Sequence, residues 1–315
     1  MRATKEIRCP VVFLKLSSML KGDSERVRIR SAVEAGQDMV PLKDARPRSA
    51  ARVLIMLAGG VLIFMALWYL VAEIYNNYLM YSLRFPTPAA VFQRLGDLFF
   101  TDMKIAGKSI YVHLEWSIKR WVAGFMIGFL VGFTIGILLS ISDKLYDILM
   151  VPLSIWQMVP SLAWIPVTIL LFGFGNMAAI FIISATVLAP IAINVCNGIK
   201  RVPPVYKRLS LMAEKPWGIR MIRVMVPYAS LDIVTGLRIG MANGWRTLIS
   251  AEMVVGVSMG LGYTISAATN MSNYVTAFCA LVLICVIGLI IDRLILANIE
   301  KMVRKKMGLE EQCCQ

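Results

Sequence analysis

The sequence predicts an all-α membrane protein that crosses the bilayer six times. Three observations carry this. Of 315 residues, 58% are apolar and 17% charged, against roughly 45–50% and about 25% in soluble domains. Uncharged runs recur at the length of a spanning helix, about 20 residues. The basic residues gather in some of the intervening segments and are missing from others, the asymmetry that orients a membrane chain.

The spans follow in order. Val53 to Ala72 and Trp121 to Ser142 are uncharged runs of single-span length. Ile148 to Ile199 is too long for one span and must be two, with Phe172-Gly173-Phe174-Gly175-Asn176 as the turn, because glycine and asparagine favour chain reversal. Ile233 to Ala251 is the fifth span. Met253 to Ile291 holds its end, then a stretch rich in Gly, Ser, Thr and Asn that reads as a loop, then a last span from about Tyr274. The chain therefore divides into a basic tail (1–52), a first span with an external amphipathic segment (53–120), a core of five spans (121–299) that includes a polar loop (200–227), and a basic C-terminal tail (300–315).

The formal net charge is +14, which in a soluble chain would raise the question of nucleic acid. Its distribution points instead to the lipid bilayer and to no nucleic-acid partner. Lys and Arg number 12 before Val53 and 7 between Lys200 and Arg223, and none occurs in Phe172 to Asn176 or Val257 to Asn273. The positive-inside rule then predicts both termini and the 200–227 segment on the cytoplasmic side. Arg84 to Arg120, predicted outside, is basic too, but long translocated segments report orientation poorly. Cys196, Cys279 and Cys285 fall within spans and Cys9, Cys313 and Cys314 on the reducing side, so no disulfide framework is expected. The Cys313-Cys314 pair is an acylation candidate and not a prenylation box.

Two spans carry small-residue stripes: Gly124, Gly128, Gly132 and Gly136 in one, Gly236, Gly240 and Gly244 in the other. Such stripes let helix backbones approach closely in lipid, which predicts helix packing in the bundle core. The third span is interrupted by Pro152, Pro160 and Pro166. Proline removes a helix donor, and a membrane tolerates the freed groups only where protein or a water-filled cavity satisfies them. Gln157, Pro160 and Ser161 are therefore candidates for a transport path, with a purely structural kink as the alternative. In the fifth span Arg238, Trp245 and Glu252 share a face and Arg246 lies about 100° round from it. Intramembrane charges normally face a bundle interior or a cavity, so Trp245, Arg246 and Glu252 join the candidate path, with an interhelical salt bridge as the other reading of Arg246.

Between the fourth and fifth spans stands KRLSLMAEKPWGIRMIRVMVP, Lys207 to Pro227. Pro203-Pro204 and Pro216 each start a helix and cannot continue one, which predicts two short helices with a corner. Leu209 and Met212 give the first an apolar side; Trp217, Met221, Val224 and Met225 give one to the second. Lys207, Arg208, Lys215, Arg220 and Arg223 form a basic rim. Orientation alone needs only the charges, whereas a docking surface for a cytoplasmic partner explains the helices as well.

HLEWSIKRWVAGF (His113, Ser117, Arg120, Gly124), VPSLAWIPVTILLFGFG and VPYASLDIVTGLRIGMANGWRTLISAEMVVGVSMGLGYTI resemble the permease subunits of bacterial ABC importers of the nitrate, sulfonate, taurine and bicarbonate branch. The resemblance runs from about His113 to the end of the fifth span. It implies a six-helix type I importer permease in the inner membrane, working by alternating access as a homodimer. It also implies an extracytoplasmic substrate-binding protein and cytoplasmic ABC ATPase subunits that carry ATP-Mg, with no cofactor on this chain. Lys207, Arg208, Leu209, Met212, Ala213, Lys215, Pro216, Trp217, Arg220 and Met221 would form the ATPase-coupling element. The family loop usually opens Glu-Ala-Ala with a glycine six residues after the glutamate. Here Lys207, Arg208, Leu209 and Ala213 occupy those places, so either the partner's groove is acidic or coupling is altered. The branch implies a small organic or inorganic anion as substrate, and it also includes carriers of pyrimidine vitamin precursors.

An enzyme is not expected. The single histidine, His113, excludes a multi-histidine metal site. Gly107-Lys108-Ser109 is not a phosphate loop, because the earlier glycine it needs is replaced by Asp102. A gradient-driven secondary transporter is the competing class, but such proteins show internal repeats and titrating membrane carboxylates, and here Glu252 is the spanning acid.

Overall fold

The computed structural model describes residues 50–78, 84–101, 103–212 and 216–306, all helical or connecting, with one isolated backbone bridge between Ile105 and Lys108. Most of the N-terminal tail with Cys9, Ala213 and Lys215 of the basic segment, and Cys313-Cys314 lie outside the described residues. Helix α1 is Ala50–Tyr78, α2 Pro88–Phe100 and α3 Ile110–Ile141. Then come α4 (Asp143–Met158), α5 (Ser161–Phe172, opening with a 3-10 turn), α6 (Asn176–Lys200), α7 (Pro204–Met212) and α8 (Trp217–Tyr228, with a π-helical stretch at Met221–Met225). The chain ends in α9 (Ser230–Val254), α10 (Leu261–Asn270) and α11 (Tyr274–Lys305, π-helical at Ile291–Leu296). The described residues up to Phe64 belong to one unit and those from Met65 onward to another; in the first, Ile55, Val61, Leu62, Ile63 and Phe64 on α1 are exposed.

In the second unit the core is built around α6, which is buried on most of its surface and flanked by α3 and α9. Both glycine stripes lie against it. A Cβ at Gly128, Gly132 or Gly136 would come within 2.5–2.7 Å of the carbonyl oxygens of Ser184, Leu188 and Ala192, and one at Gly124 within 2.7 Å of Ile183. A Cβ on Gly236 would stand 2.7 Å from Asn194, on Gly240 3.1 Å from Ile191 and on Gly244 2.9 Å from Val187. The α3 stripe thus meets α6 largely at its backbone, whereas the α9 stripe meets mainly its side chains. Ile183, Val187 and Ile191 reach both, so one helix is held from two sides by dispersion contacts, the main attraction between helices in lipid.

Among the described residues four helices are long and apolar enough to cross a membrane, and the number is six if each of the bent pairs α4–α5 and α8–α9 is one span. The pair α4–α5 turns by 101°. Of the three prolines expected to kink it, only Pro160 sits at the break: Pro152 lies inside α4, and Pro166 occupies the first turn of the α-helical part of α5, where no backbone donor is required. Trp156 fixes the break to α6 by donating from Nε1 to the carbonyl of Ala185 at 2.8 Å, and its ring packs on Trp164 at 4.3 Å. The turn between α5 and α6 falls on the predicted glycines, with φ of 71° at Gly173 and 125° at Gly175.

Two sequence expectations are corrected. Val257 to Asn273, read as a loop from its composition, contains the ten-residue helix α10, whose Leu261, Gly262, Thr264 and Ala268 are buried. Its polar small residues suit close packing rather than solvent: a Cβ at Gly262 would lie 2.5 Å from the carbonyl of Ile249. The second span also begins earlier than its apolar run, since α3 starts at Ile110. Its first turns are polar and are paid for by the contacts described next.

Candidate functional site

His113, Ser117 and Arg120 stand at i, i+4 and i+7 on α3 and so form one stripe. All three are buried, and all face the junction of α9 and α10. Glu252, near the end of α9, is the centre. Nη1 of Arg120 donates to its Oε1 at 2.6 Å, the Ser117 hydroxyl donates to the carboxylate at 2.8–2.9 Å, and the Gly262 amide donates to Oε2 at 2.9 Å. Ser117 Oγ also accepts from the Leu261 amide at 2.8 Å. His113 Nδ1 accepts from the Gly260 amide at 3.1 Å, so the ring proton is on Nε2, which donates to the carbonyl of Ile105 at 3.0 Å. Arg120 uses its other donors on Asn176 Oδ1 (2.7 Å) and the Met259 carbonyl (2.6 Å).

This cluster joins α3, α6, α9 and the entry to α10. Arg120 is 3% and Glu252 1% exposed. Charges so enclosed are tolerated only when paired and well hydrogen-bonded; here the two are paired with each other, Glu252 accepts from three groups and Arg120 donates through Nε and Nη1. Gly260 makes the approach possible: its φ of 145° is a glycine conformation, and any Cβ there would collide with the Glu252 carboxylate.

The sequence-predicted path residues divide. Trp245 and Glu252 are enclosed; the Trp245 indole donates to the carbonyl of Ile284 at 3.2 Å and meets Trp121 edge-on at 5.7 Å. Gln157, Pro160 and Arg246 are exposed and Ser161 is half-buried. The 3-10 turn after Pro160 packs against α9, the helix that carries Arg246. Among the described residues the cations within the long helices differ sharply. Arg120 pairs with Glu252, and Arg238 bridges Asp292 at 3.1 Å and Glu300 at 3.0 Å on α11, whereas Arg246 has no carboxylate within reach.

At the opposite end of the helices, α7 and α8 form the predicted pair with Pro204 and Pro216 at their starts. Met221 is buried and Val224 and Met225 half-buried, so part of the predicted apolar side packs inward. Trp217, Ile219 and Ile222 are exposed, as are Arg208 and Arg223. Arg220 is half-buried, and its Nε has no hydrogen-bond partner among the described residues. Lys207 is half-buried too, its ammonium 3.5 Å from the carbonyl of Lys200 at the C-terminus of α6. A cation is favoured beside the negative end of a helix dipole, which gives a lysine there a local role. Leu209 and Met212 lie on α7.

Residues 124–305 match the family of binding-protein-dependent transport system inner membrane components. The chain belongs to that family. It is similar to the nitrate import permease protein of a Synechocystis species, 29% identical over 67% of this chain and 77% of that one. It is likewise similar to the taurine transport system permease protein of Escherichia coli K12, 26% identical over 77% and 86%. A chain of the MetNI methionine ABC transporter, solved in inward facing conformations, shares the fold at a TM-score of 0.52 and 20% identity, covering 61% of this chain and 93% of its own. The fold is thus that of a type I ABC importer permease, and this permease of the inner membrane is a transporter component rather than an enzyme.

Sequence reasoning gave His113, Ser117 and Arg120 no role of their own. Their four- and three-residue spacing was the available signal, because three polar residues on one face of a spanning helix must be answered by a polar partner. The identity of that partner, 132 residues away for Arg120 and Glu252, is set by tertiary structure.

Proposed function

We propose that this permease forms the membrane path of an ATP-driven importer for a small anion, of the nitrate, taurine or sulfonate kind. A substrate-binding protein delivers the anion from outside to two copies of the chain. ATP-Mg is hydrolysed on cytoplasmic ATPase subunits, and closure of those subunits moves the bundle through α7 and α8. The positive-inside rule assigns the basic 200–227 segment, and so the α7–α8 end, to the cytoplasm, with the Glu252 cluster then on the outer side.

The observation that carries the anion reading is Arg246. It is an exposed guanidinium on a spanning helix, beside a proline-broken segment, without a carboxylate partner among the described residues. An unpaired charge at that depth is costly, and a water-filled path visited by anions offsets the cost. Guanidinium recognises planar or tetrahedral oxyanions through paired donors. The test is uptake into proteoliposomes of the reconstituted complex, with labelled nitrate, taurine and an alkanesulfonate as separate probes. Arg246→Ala should lower uptake of the transported anion at least tenfold and Arg246→Lys less. Unchanged amount and specificity in Arg246→Ala would remove the anion path.

The coupling reading rests on the exposed apolar and basic residues of α7 and α8. With Lys207 facing the end of α6, the exposed cations of α7 and α8 among the described residues are Arg208 and Arg223, and an acidic ATPase groove is the matching surface. Arg208→Glu with Arg223→Glu should weaken ATPase association, and acidic-to-basic changes in the ATPase groove should restore it.

A further inference from the structure

A cavity of about 360 Å³, lined by none of the candidate path residues, lies between the end of α1 and the start of α11. It is lined by Tyr75, Arg84, Phe85, Pro86, Tyr274 and Phe278. Its apolar wall is held rigidly. Phe85 meets Phe278 edge-on at 5.4 Å and packs tilted on Tyr75 at 5.6 Å. Asn76 grips the main chain of Phe85 twice, donating from Nδ2 to its carbonyl at 3.1 Å and accepting from its amide at 2.8 Å. Trp68 Nε1 donates to the carbonyl of Pro86 at 3.1 Å. Arg84 is exposed, and its guanidinium has no ion pair or hydrogen bond among the described residues.

Two features identify the level and the surroundings of this cleft. The apolar run of α1 closes at Tyr78 and that of α11 opens at Tyr274, with Tyr75 one turn before the first of these ends. Tyrosine and tryptophan concentrate at the membrane–water boundary. Beside the cleft, Tyr69, Leu70 and Ile74 on α1 are exposed by 45–54%, so this is a lipid-facing edge of the molecule. An occupant must offer an anion to Arg84 and apolar surface to Phe85, Pro86 and Phe278 at the headgroup level. The geometry points to a phospholipid: we propose that Arg84 binds the phosphate of a resident phospholipid whose glycerol and upper acyl carbons lie on the Phe85–Phe278 wall. The site does not depend on which substrate is transported.

The test uses the full chain in its complex, reconstituted into nanodiscs of phosphatidylglycerol and phosphatidylethanolamine in equal parts. Bound lipid is then counted by native mass spectrometry after release into detergent. The wild type should retain phosphatidylglycerol. Arg84→Ala should retain it about fivefold less, the scale of one cation at an anionic lipid surface, and Arg84→Lys should fall between them. Helix content and elution volume should be unchanged in both variants, since Arg84 is exposed. Phe278→Leu, which keeps apolar volume but removes the ring contact, should also reduce retention. Equal retention by wild type and Arg84→Ala overturns the proposal. So does displacement of the lipid by millimolar inorganic phosphate, which would make the site one for a free anion.

Discussion

The two ends of the helix bundle are built on opposite principles. At one end, Glu252, Arg120, Ser117, His113 and the amides of Gly260, Leu261 and Gly262 are buried and mutually hydrogen-bonded. At the other, α7 and α8 are short, cornered by prolines and interrupted by a π-helical stretch, with Trp217, Ile219, Ile222, Arg208 and Arg223 exposed. A charge network of this kind allows little relative motion of the helices it ties, because any opening strands a charge in a medium that cannot solvate it. An exposed surface of mixed apolar and basic groups gains by being covered. The contrast suits a rigid grip at one end and a docking surface at the other, joined by α6 and α9 between them.

The largest effect expected from breaking this contrast is at the grip. Arg120→Ala leaves Glu252 buried and unpaired and should cost about 3–5 kcal/mol, read as a lowered Tm in detergent or as loss of folded protein. Removing both partners, with Arg120→Met and Glu252→Met, should be less damaging than Arg120→Ala, because it leaves no orphaned charge. A double variant as unstable as the single would show that the pair acts through shape alone.

Next come the glycines. Gly132→Ala puts a methyl 2.5 Å from the Leu188 carbonyl, so α3 and α6 must separate, at about 1–3 kcal/mol. Gly218→Ala, in α8, has open space around it and should change stability by less than about 0.5 kcal/mol. Equal effects at the two sites would contradict the difference drawn between the core and the α7–α8 end. Ser117→Ala should cost about 1–3 kcal/mol, since it leaves the buried Leu261 amide without its acceptor. The smallest effect on stability is expected from Trp217→Ala with Ile222→Ala, which touches exposed groups and should leave Tm nearly unchanged.

The parts of this architecture that were legible in the sequence are those set by local chemistry. Uncharged runs, and for the fifth span a mostly apolar one, mark the spans, Gly173 and Gly175 the reversal between α5 and α6, and Pro204 and Pro216 the starts of α7 and α8. Helix α10 was hidden because small polar residues read as loop when alone and as close packing when a neighbour such as Ile249 is present. Glu252 was recognised as costly, yet its partner lies on another helix far along the chain, and periodicity within α9 carries no information about it. Met221 shows the same limit in α8: amphipathic spacing groups it with Trp217, but the fold buries one and exposes the other.

The most direct test of the central claim is recovery of the ATPase with the tagged permease from native membranes, comparing wild type with Trp217→Ala plus Ile222→Ala. Ile222 is chosen because it is 70% exposed, so its truncation reports on docking rather than folding. An ATPase subunit should accompany the wild type and fall at least tenfold in the double variant, with Tm and helix content unchanged. Equal recovery from both would contradict docking through α8, and absence of any ATPase with the wild type would contradict ATP-driven transport by this chain.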